Sequence, residues 1–299
     1  MRGRDADPFL SKFVALPPLP GSAPTRPQFV HDQPLIPSGI SDGCNTFLTA
    51  FNEDASLQSC TSPIISATAQ FIGANATANP STSDVQSALG SICGSSGSCS
   101  ESTVRSKLAD FYSACTAELT SNKNSDVLAL YDSLYTMIPL KNAICSKDDT
   151  GAYCVGKVAA KVPVSSLYTN VGSDGSQSVL KPNVDTFETN NIAFLLLQAS
   201  TPKDTLCTSC SRSVLTAFVS WESSSPYAPG LAQSKILGGQ TDLYTAVTST
   251  CGATFLSGAV QAAGGLSGGI LSDSSDAVQT VVGTVGAVVG ALAAAAVML

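Results

Sequence analysis

Histidine is almost absent from this chain of 299 residues, which contains only His31. A serine hydrolase needs a general base beside its serine, and that base is usually histidine. Because His31 lies in a proline-rich stretch, we exclude a serine–histidine triad. The motifs G-x-S-x-G and G-x-x-x-x-G-K-S/T do not occur either, which removes the hydrolase nucleophile elbow and the phosphate-binding loop. The sequence therefore predicts no catalytic residues and no cofactor.

Charge is scarce as well: Asp, Glu, Lys and Arg make up 12% of the chain, and the formal net charge is −7. No cluster of Lys and Arg occurs, although such a cluster is the electrostatic footprint of a nucleic-acid-binding protein. We therefore expect no nucleic-acid partner. An acidic chain that is poor in charge and rich in Ser and Thr suits the outside of a cell better than the cytosol.

Cysteine, in contrast, is abundant and even in number. Disulfides persist in oxidising compartments and are rare in the cytosol. A structural zinc site needs four Cys or His ligands at close spacing, and the single histidine and the cysteine spacings do not supply them. We therefore predict an exported protein without a metal, in which all ten cysteines form disulfides: Cys44, Cys60, Cys93, Cys99, Cys115, Cys145, Cys154, Cys207, Cys210 and Cys251.

Sequence alone does not select among the many possible pairings, but two pairs are favoured. Cys145–Cys154 would close the turn "SKDDTGAY". Cys44–Cys60 would link two antiparallel helices, since both cysteines lie at similar distances from a predicted turn near Asn52–Asp54. The adjacent carboxylates Asp148 and Asp149 could serve a glycosidase, but we interpret them as part of the turn.

The motif Cys207-Thr-Ser-Cys210 suggests an alternative function. It has the spacing of a redox dithiol and opens a predicted helix, whose N-terminus lowers the pKa of a thiol. The alternative is therefore an extracellular thiol–disulfide oxidoreductase. Because no βαβ pattern precedes the motif, we prefer structural cysteines.

The segment 278–299 is apolar and carries no charge. It is long enough to span a membrane, but the last basic residue is Lys235, whereas cytoplasmic flanks normally carry Lys or Arg. Small residues, a polar spacer and an apolar tail instead match a glycosylphosphatidylinositol (GPI) attachment signal. We predict attachment at Ser272 within residues 264–299. A transmembrane anchor remains the alternative, and other attachment residues are Ser267, Gly268, Gly269 and Ser274.

Residues 1–40 contain eight of the 16 prolines and predict an extended, disordered linker. The first 21 residues lack the apolar core of 7–15 residues that a signal peptide needs. Export would therefore require an N-terminal segment that this sequence does not include. Asn75-Ala-Thr77 is the only N-x-S/T sequon, and we predict N-glycosylation of Asn75 if the chain is exported.

Residues 41–263 predict one cysteine-rich helical domain. "GCNTFLTAF" and "ASLQSCTSPIISATAQF" read as two helices. In "SESTVRSKLADFYSACTAEL" the apolar residues recur at helical spacing, Ser100 is a suitable N-cap, and Glu118 falls away from the apolar face. In "SDVLALYDSLYTMIPL" Pro139 is expected to end the helix. The apolar face of the third segment comprises Val104, Leu108, Phe111, Cys115 and Leu119.

Further helices are predicted at "DTFETNNIAFLLLQA", "SRSVLTAFVSWES", "TDLYTAVTSTC" and "ATFLSGAV". Residues 155–183 read as a long loop, with a short strand pair as an option. Because long alternating runs are scarce, the fold class is mainly α, a single disulfide-rich helical domain with long loops.

Four segments resemble an uncharacterised family of fungal secreted, cysteine-rich, GPI-anchored surface proteins, a domain of unknown function. They are "SICGSSGSCSESTVRSKLADFYSAC", "LYDSLYTMIPLKNAICSKDDTGAYCV", "LCTSCSRSVLTAFVSW" and "YTAVTSTCGATFLSGAV", and the likeness extends over about residues 41–260. The resemblance implies a signal peptide and a GPI-type tail. It carries no functional residues, because the family has no assigned activity.

The sequence thus favours a non-enzymatic, GPI-anchored protein of the cell surface or cell wall, with a structural, adhesive or ligand-capturing role. Its expected partners are the membrane, through a lipid anchor, and either cell-wall polysaccharide or a small apolar ligand. The alternatives are the thiol–disulfide oxidoreductase and a lipid- or sterol-binding module.

Overall fold

A computed structural model describes residues 36–72, 80–94, 99–158, 163–171, 179–256 and 292. These residues are mainly helical, which confirms the expected fold class. The helices are α1 Asp42–Asn52, α2 Ala55–Thr68, α3 Thr82–Gly94, α4 Glu101–Ala114, α5 Ser125–Cys145, α6 Val155–Val158, α7 Val184–Asn190, α8 Lys203–Leu206, α9 Ser209–Ser224 and α10 Gln240–Cys251. Helix α3 has no counterpart in the sequence analysis.

Short helical turns and one hairpin complete the described part. The 3-10 turns are Ala69–Phe71, Val164–Ser166, Ile192–Phe194 and Leu231–Gln233, and a π-turn runs over Ala117–Ser121. Strands β1 Tyr168–Val171 and β2 Val179–Pro182 pair antiparallel, with Tyr168 opposite Pro182. The optional strand pair in the long loop is therefore present.

Side-chain caps fix where the principal helices begin. The Ser100 hydroxyl accepts a hydrogen bond from the Thr103 N–H at 3.1 Å, which confirms the predicted N-cap of α4. Asp54 caps α2 at the Ser56 and Leu57 N–H groups. The same carboxylate pairs with Lys107 of α4, and this contact, with the cap, lowers the pKa of Asp54 to about 2. The turn between α1 and α2 is thereby tied to α4.

Helix α5 lies at the centre of the fold and packs against α3, α4 and α9. It is buried around most of its circumference, as expected of a helix enclosed on all sides. The expectation that Pro139 ends this helix is wrong, because α5 continues through it to Cys145. Proline removes one backbone hydrogen bond, and we attribute its tolerance here to the packing of neighbouring helices around α5.

The segment "DTFETNNIAFLLLQA" is not one helix. Helix α7 ends at Asn190 and is capped by Asn191, whose φ of 49° lies in the left-handed region. Leu195 and Leu196 also have positive φ. Asn tolerates this conformation and so terminates helices. The Asn191 side-chain amide donates to the Leu197 carbonyl at 3.0 Å, which holds this apolar run in a compact, buried turn.

A chain of aromatic rings runs through the core. Successive ring centroids lie 5.0 to 6.0 Å apart, mostly edge to face, an arrangement that aromatic pairs prefer. The chain connects α1, α4, α5, the loop after α9 and α9 itself. Its members are Phe51, Phe47, Phe111, Tyr131, Tyr227, Tyr135 and Trp221.

The packed region begins slightly before the predicted boundary at residue 41. Ile36 and Ile40 pack against the hydrophobic core. The Ser38 carbonyl accepts a hydrogen bond from the Asn124 side chain at 3.0 Å. Residues 36–40 therefore belong with the helices, and residues 1–35 of the predicted linker lie outside the described residues.

Candidate functional site

All ten cysteines are paired, as predicted. Each bond joins cysteines at least 39 residues apart in sequence. The cross-links therefore fix tertiary packing, not local turns. The bonds are Cys44–Cys115, Cys60–Cys99, Cys93–Cys145, Cys154–Cys210 and Cys207–Cys251.

The predicted pair Cys145–Cys154 is wrong, since Cys145 bonds Cys93 and Cys154 bonds Cys210. The turn between them is closed by Asp148 instead. One Asp148 oxygen accepts hydrogen bonds from the N–H groups of Thr150 and Ala152, both at 2.9 Å. The other oxygen pairs with Lys157, which holds the pKa of Asp148 well below its usual range.

The predicted pair Cys44–Cys60 is also wrong. Helix α1 packs against α4, and α2 packs against α3, so the two cysteines face different partners. Cys44 reaches Cys115 at the end of α4, and Cys60 reaches Cys99 just before α4 begins.

The five bonds fall into two groups that share no cross-link. The first disulfide group lies within residues 44–145 and contains Cys44–Cys115, Cys60–Cys99 and Cys93–Cys145. The second lies within residues 154–251 and contains Cys154–Cys210 and Cys207–Cys251. Residues 146–153 are the only covalent link between them.

The CxxC motif does not form a disulfide of its own. Cys207 at the end of α8 bonds Cys251, while Cys210 in the first turn of α9 bonds Cys154. A dithiol oxidoreductase cycles a bond between the two cysteines of its motif. The structure therefore gives the oxidoreductase alternative no support.

Three groups with metal-ligand chemistry lie together at Cys44, Cys115 and Glu118. The two sulfurs are bonded to each other, so neither is available as a thiolate. Glu118 is buried, contrary to the expectation that it faces away from the core. Burial opposes its ionisation, but a hydrogen bond from the Ser41 N–H at 2.6 Å leaves the pKa of Glu118 below its ordinary value. This carboxylate anchors the start of α1.

A cleft of about 420 Å³ lies between α5 and α9, with Glu101 of α4 at its edge. We call it the α5–α9 cleft. Its volume falls within the range of about 300–1,000 Å³ typical of small-molecule sites. Ile138 and Ala217 supply apolar surface, whereas the other lining side chains are mostly polar: Asn142 from α5, and Arg212, Ser213, Thr216, Ser220 and Trp221 from α9.

Charge at the Trp221 side of the cleft is compensated. Arg105 pairs with Glu101 at 2.7 Å, and its guanidinium lies 5.2 Å from the centroid of the Trp221 ring. Arg105 also donates to the hydroxyls of Ser224 and Ser225, both at 2.8 Å. These contacts fasten the N-terminal half of α4 to the end of α9.

Several polar groups of the cleft have no hydrogen-bond partner among the described residues. They include the buried N–H groups at Trp221 Nε1 and Arg212 Nε. Buried donors without acceptors are uncommon in native proteins, and water or a ligand often explains them. The cleft thus combines unused hydrogen-bonding capacity with a nearly neutral lining.

Two carboxylates lie deeper in the fold without a cationic partner among the described residues: Asp132, which is buried, and Glu222, which is half-buried. Burial raises the pKa of Asp132 to about 6 and that of Glu222 to about 7. Tyr227 donates to one oxygen of Asp132, and the Gln240 amide lies 2.6 Å from both oxygens of Glu222. Neither carboxylate is singled out by the sequence; for Asp132 the available signal is an acidic residue set between the apolar residues of "LALYDSLY".

Other predicted sites lie outside the described residues: Ser272 with its spacer, the apolar tail apart from Leu292, and the sequon at Asn75. Among the residues that the structure does describe, no helix is long and apolar enough to cross a membrane.

Residues 28–171 match a family described as a domain of unknown function, DUF7729. The match covers the first disulfide group and the turn that follows it. No curated protein and no solved structure matches the chain. The expected likeness to an uncharacterised family is therefore confirmed for residues 28–171.

Proposed function

We propose that this chain is a non-enzymatic, GPI-anchored protein of the cell surface or cell wall, and that its helical ectodomain has a structural, adhesive or ligand-capturing role. The observation that carries the proposal is that every cysteine is engaged in a long-range disulfide. Such bonds form and persist outside the cytosol. The likeness to fungal secreted proteins and the small-residue spacer before the apolar segment 278–299 support the same assignment.

The disulfide pattern also favours a rigid scaffold over an enzyme centred on a reactive thiol. The chain has no free cysteine, and both CxxC cysteines are engaged with other partners. A protein exposed at a surface gains resistance to unfolding from cross-links, each of which contributes about 2–4 kcal/mol.

Anchoring is tested on intact cells of the native host that carry the chain with an epitope inserted between residues 35 and 36. Phosphatidylinositol-specific phospholipase C should release the protein, and mass spectrometry of the released material should find no peptide from residues 278–299. A variant that lacks 278–299 serves as control and should enter the medium without the enzyme. Protein that stays on the cells and retains residues 278–299 would contradict the proposal.

A separate measurement tests the compartment. After denaturation without reductant, the mature protein should react with no thiol reagent. Labelling of several cysteines in freshly isolated protein would show that the chain matures in a reducing environment.

A further inference from the structure

We propose that the α5–α9 cleft binds a neutral oligosaccharide segment, with Asn142 and the hydroxyls of α9 as its principal hydrogen-bonding groups. The inference rests on the proposed function for one point only, the location of the ectodomain where extracellular polysaccharide is present. It goes beyond that proposal because it names a site and a ligand class.

The α9 wall of the cleft carries a row of hydroxyl groups. Ser213, Thr216 and Ser220 recur at steps of three and four along α9 and so form one stripe on the helix. Elsewhere in the fold, helical hydroxyls such as those of Thr245 and Thr248 bond to the carbonyl four residues earlier. Within the part of the chain that the structure describes, the three cleft hydroxyls and the Asn142 amide make no such bond, so their capacity is available to a ligand.

The cleft hydroxyls and the Asn142 amide match the hydroxyl groups of a sugar. A Ser or Thr hydroxyl both donates and accepts, and an Asn amide presents one acceptor and two donors side by side. Sugar hydroxyls also donate and accept, so each can pair with such a group in either sense. A ligand that offers only acceptors would leave part of this capacity unused.

The lining of the cleft is nearly neutral, which favours an uncharged ligand. Glu101 is paired with Arg105 at 2.7 Å, which leaves Arg212 as the lining charge that has no carboxylate partner among the described residues. Its guanidinium lies over the ring of Phe255, 4.9 Å from the centroid. One stacked guanidinium does not give strong specificity for an anionic ligand. Sites for such ligands use several Arg residues or a bidentate Arg contact.

The shape of the α5–α9 cleft suits an extended chain. From Arg212 to Ser220 the α9 wall extends roughly 12 Å, at 1.5 Å per helical residue. Asn142, Ser220 and Glu101 are exposed, so the cleft opens to solvent along its rim and suits a chain that continues beyond it. The apolar surface of Ile138 and Ala217 is available to the C–H face of a sugar ring. A lipid or sterol requires a mostly apolar pocket, which this cleft does not provide.

The chain carries its own reporter of occupancy. Its single tryptophan is Trp221, which lines the cleft, so fluorescence excited selectively at tryptophan reports on this site. The full chain, made in an oxidising compartment, is titrated with cellotetraose, laminaritetraose and chitotetraose. We expect at least one of these neutral tetrasaccharides to change the fluorescence saturably, with matching heat in calorimetry.

Variants place the binding in the cleft. Asn142→Ala with Thr216→Ala should weaken binding at least tenfold, because both groups are partly or fully exposed and their loss leaves the core unchanged. The matched control, Asn45→Ala with Thr241→Ala, removes an exposed amide and an exposed hydroxyl from other helices and should bind as the parent does. Circular dichroism confirms that each variant is folded.

Three results would overturn the inference: no neutral tetrasaccharide binds the folded chain, the cleft variant binds as well as its control, or a galacturonate tetramer or a sterol binds while the neutral sugars do not. None of these results bears on the anchor, because release by the phospholipase is measured without any sugar. Conversely, a chain that binds sugar but is not released would contradict the anchor alone.

Discussion

The hydroxyl of Tyr227 donates a hydrogen bond to the buried carboxylate of Asp132, 95 residues away in the chain. Asp132 also accepts from the Ile236 N–H at 3.5 Å. One carboxylate of α5 thus holds the loop between α9 and α10 against the core. This contact crosses from the first disulfide group to the second.

Tyr227→Phe should therefore destabilise the protein by about 1.5–3 kcal/mol at pH 7, since a hydrogen bond to a buried charged group is lost. Urea unfolding measures the change. Tyr112→Phe, at a partly buried tyrosine whose hydroxyl has no described partner, should change the free energy of unfolding by less than about 0.5 kcal/mol. Equal effects of the two substitutions would refute the role of the contact.

The free energy of unfolding should fall as the pH rises from about 5 to 7.5. Burial raises the pKa of Asp132 to about 6 and of Glu222 to about 7, so the unfolded chain releases these protons at lower pH than the folded chain does. Wherever the folded state holds more protons, stability decreases with pH. We expect a loss on the order of 2–4 kcal/mol.

Asp132→Asn should flatten this pH dependence, because it removes one of the two groups. Asp110→Asn, at an exposed site on α4, should leave it unchanged. A free energy of unfolding that is constant or rises between pH 5 and 7.5 would show that Asp132 and Glu222 do not titrate as the structure indicates.

The turn between Cys145 and Cys154 offers a comparison of two neighbouring carboxylates. Asp148→Ala removes the acceptor of the Thr150 and Ala152 N–H groups and the partner of Lys157. We expect a loss of about 1–2 kcal/mol. Thermal unfolding measures the change. Asp149→Ala, at the next residue, which is exposed, should have almost no effect in the same measurement. If both variants melt together, the turn is held by something other than Asp148.

Gly239 tests the close packing beneath α10. A Cβ at this position would overlap the side-chain amide of Asn191, which itself holds the turn after α7. Gly239→Ala should cost roughly 1–3 kcal/mol through overpacking. Gly90→Ala is the control: it lies within α3 with open space around it, and we expect a gain of about 0.5–1 kcal/mol from helix propensity.

The disulfide connectivity is directly measurable. Peptide mapping without reduction should recover Cys93 linked to Cys145 and Cys154 linked to Cys210. Replacing Cys93 and Cys145 together by Ala should lower the free energy of unfolding by about 2–4 kcal/mol. Recovery of a peptide that links Cys145 to Cys154 would restore the sequence-based pairing and reject the one described.

Sequence predicted what is local and missed what depends on packing. The apolar face predicted from Val104 to Leu119, which extends along α4 and the turn after it, is buried throughout, because helical periodicity alone defines it. Pro139 predicts a helix end because proline lacks an N–H, yet α5 continues through it. The course of the chain after Asn191 likewise depends on packing around that turn.

The same distinction applies to the candidate site. That all ten cysteines pair follows from their number and context, whereas which of them meet depends on α1 lying on α4 and α2 on α3. The hydroxyl stripe of α9 is visible in the sequence as Ser213, Thr216 and Ser220. Its opposite wall at Asn142 is not, since it comes from a helix about 70 residues earlier in the chain.

The absence of any cross-link between the two disulfide groups has a mechanical consequence. A protease that cuts once within residues 146–153 would leave two internally cross-linked polypeptides that adhere through non-covalent contacts such as the hydrogen bond from Tyr227 to Asp132. They should comigrate in native gels and separate in detergent gels even without reductant. If the chain is anchored as we propose, one such cleavage would divide it into a half that stays at the cell surface and a half that can be shed.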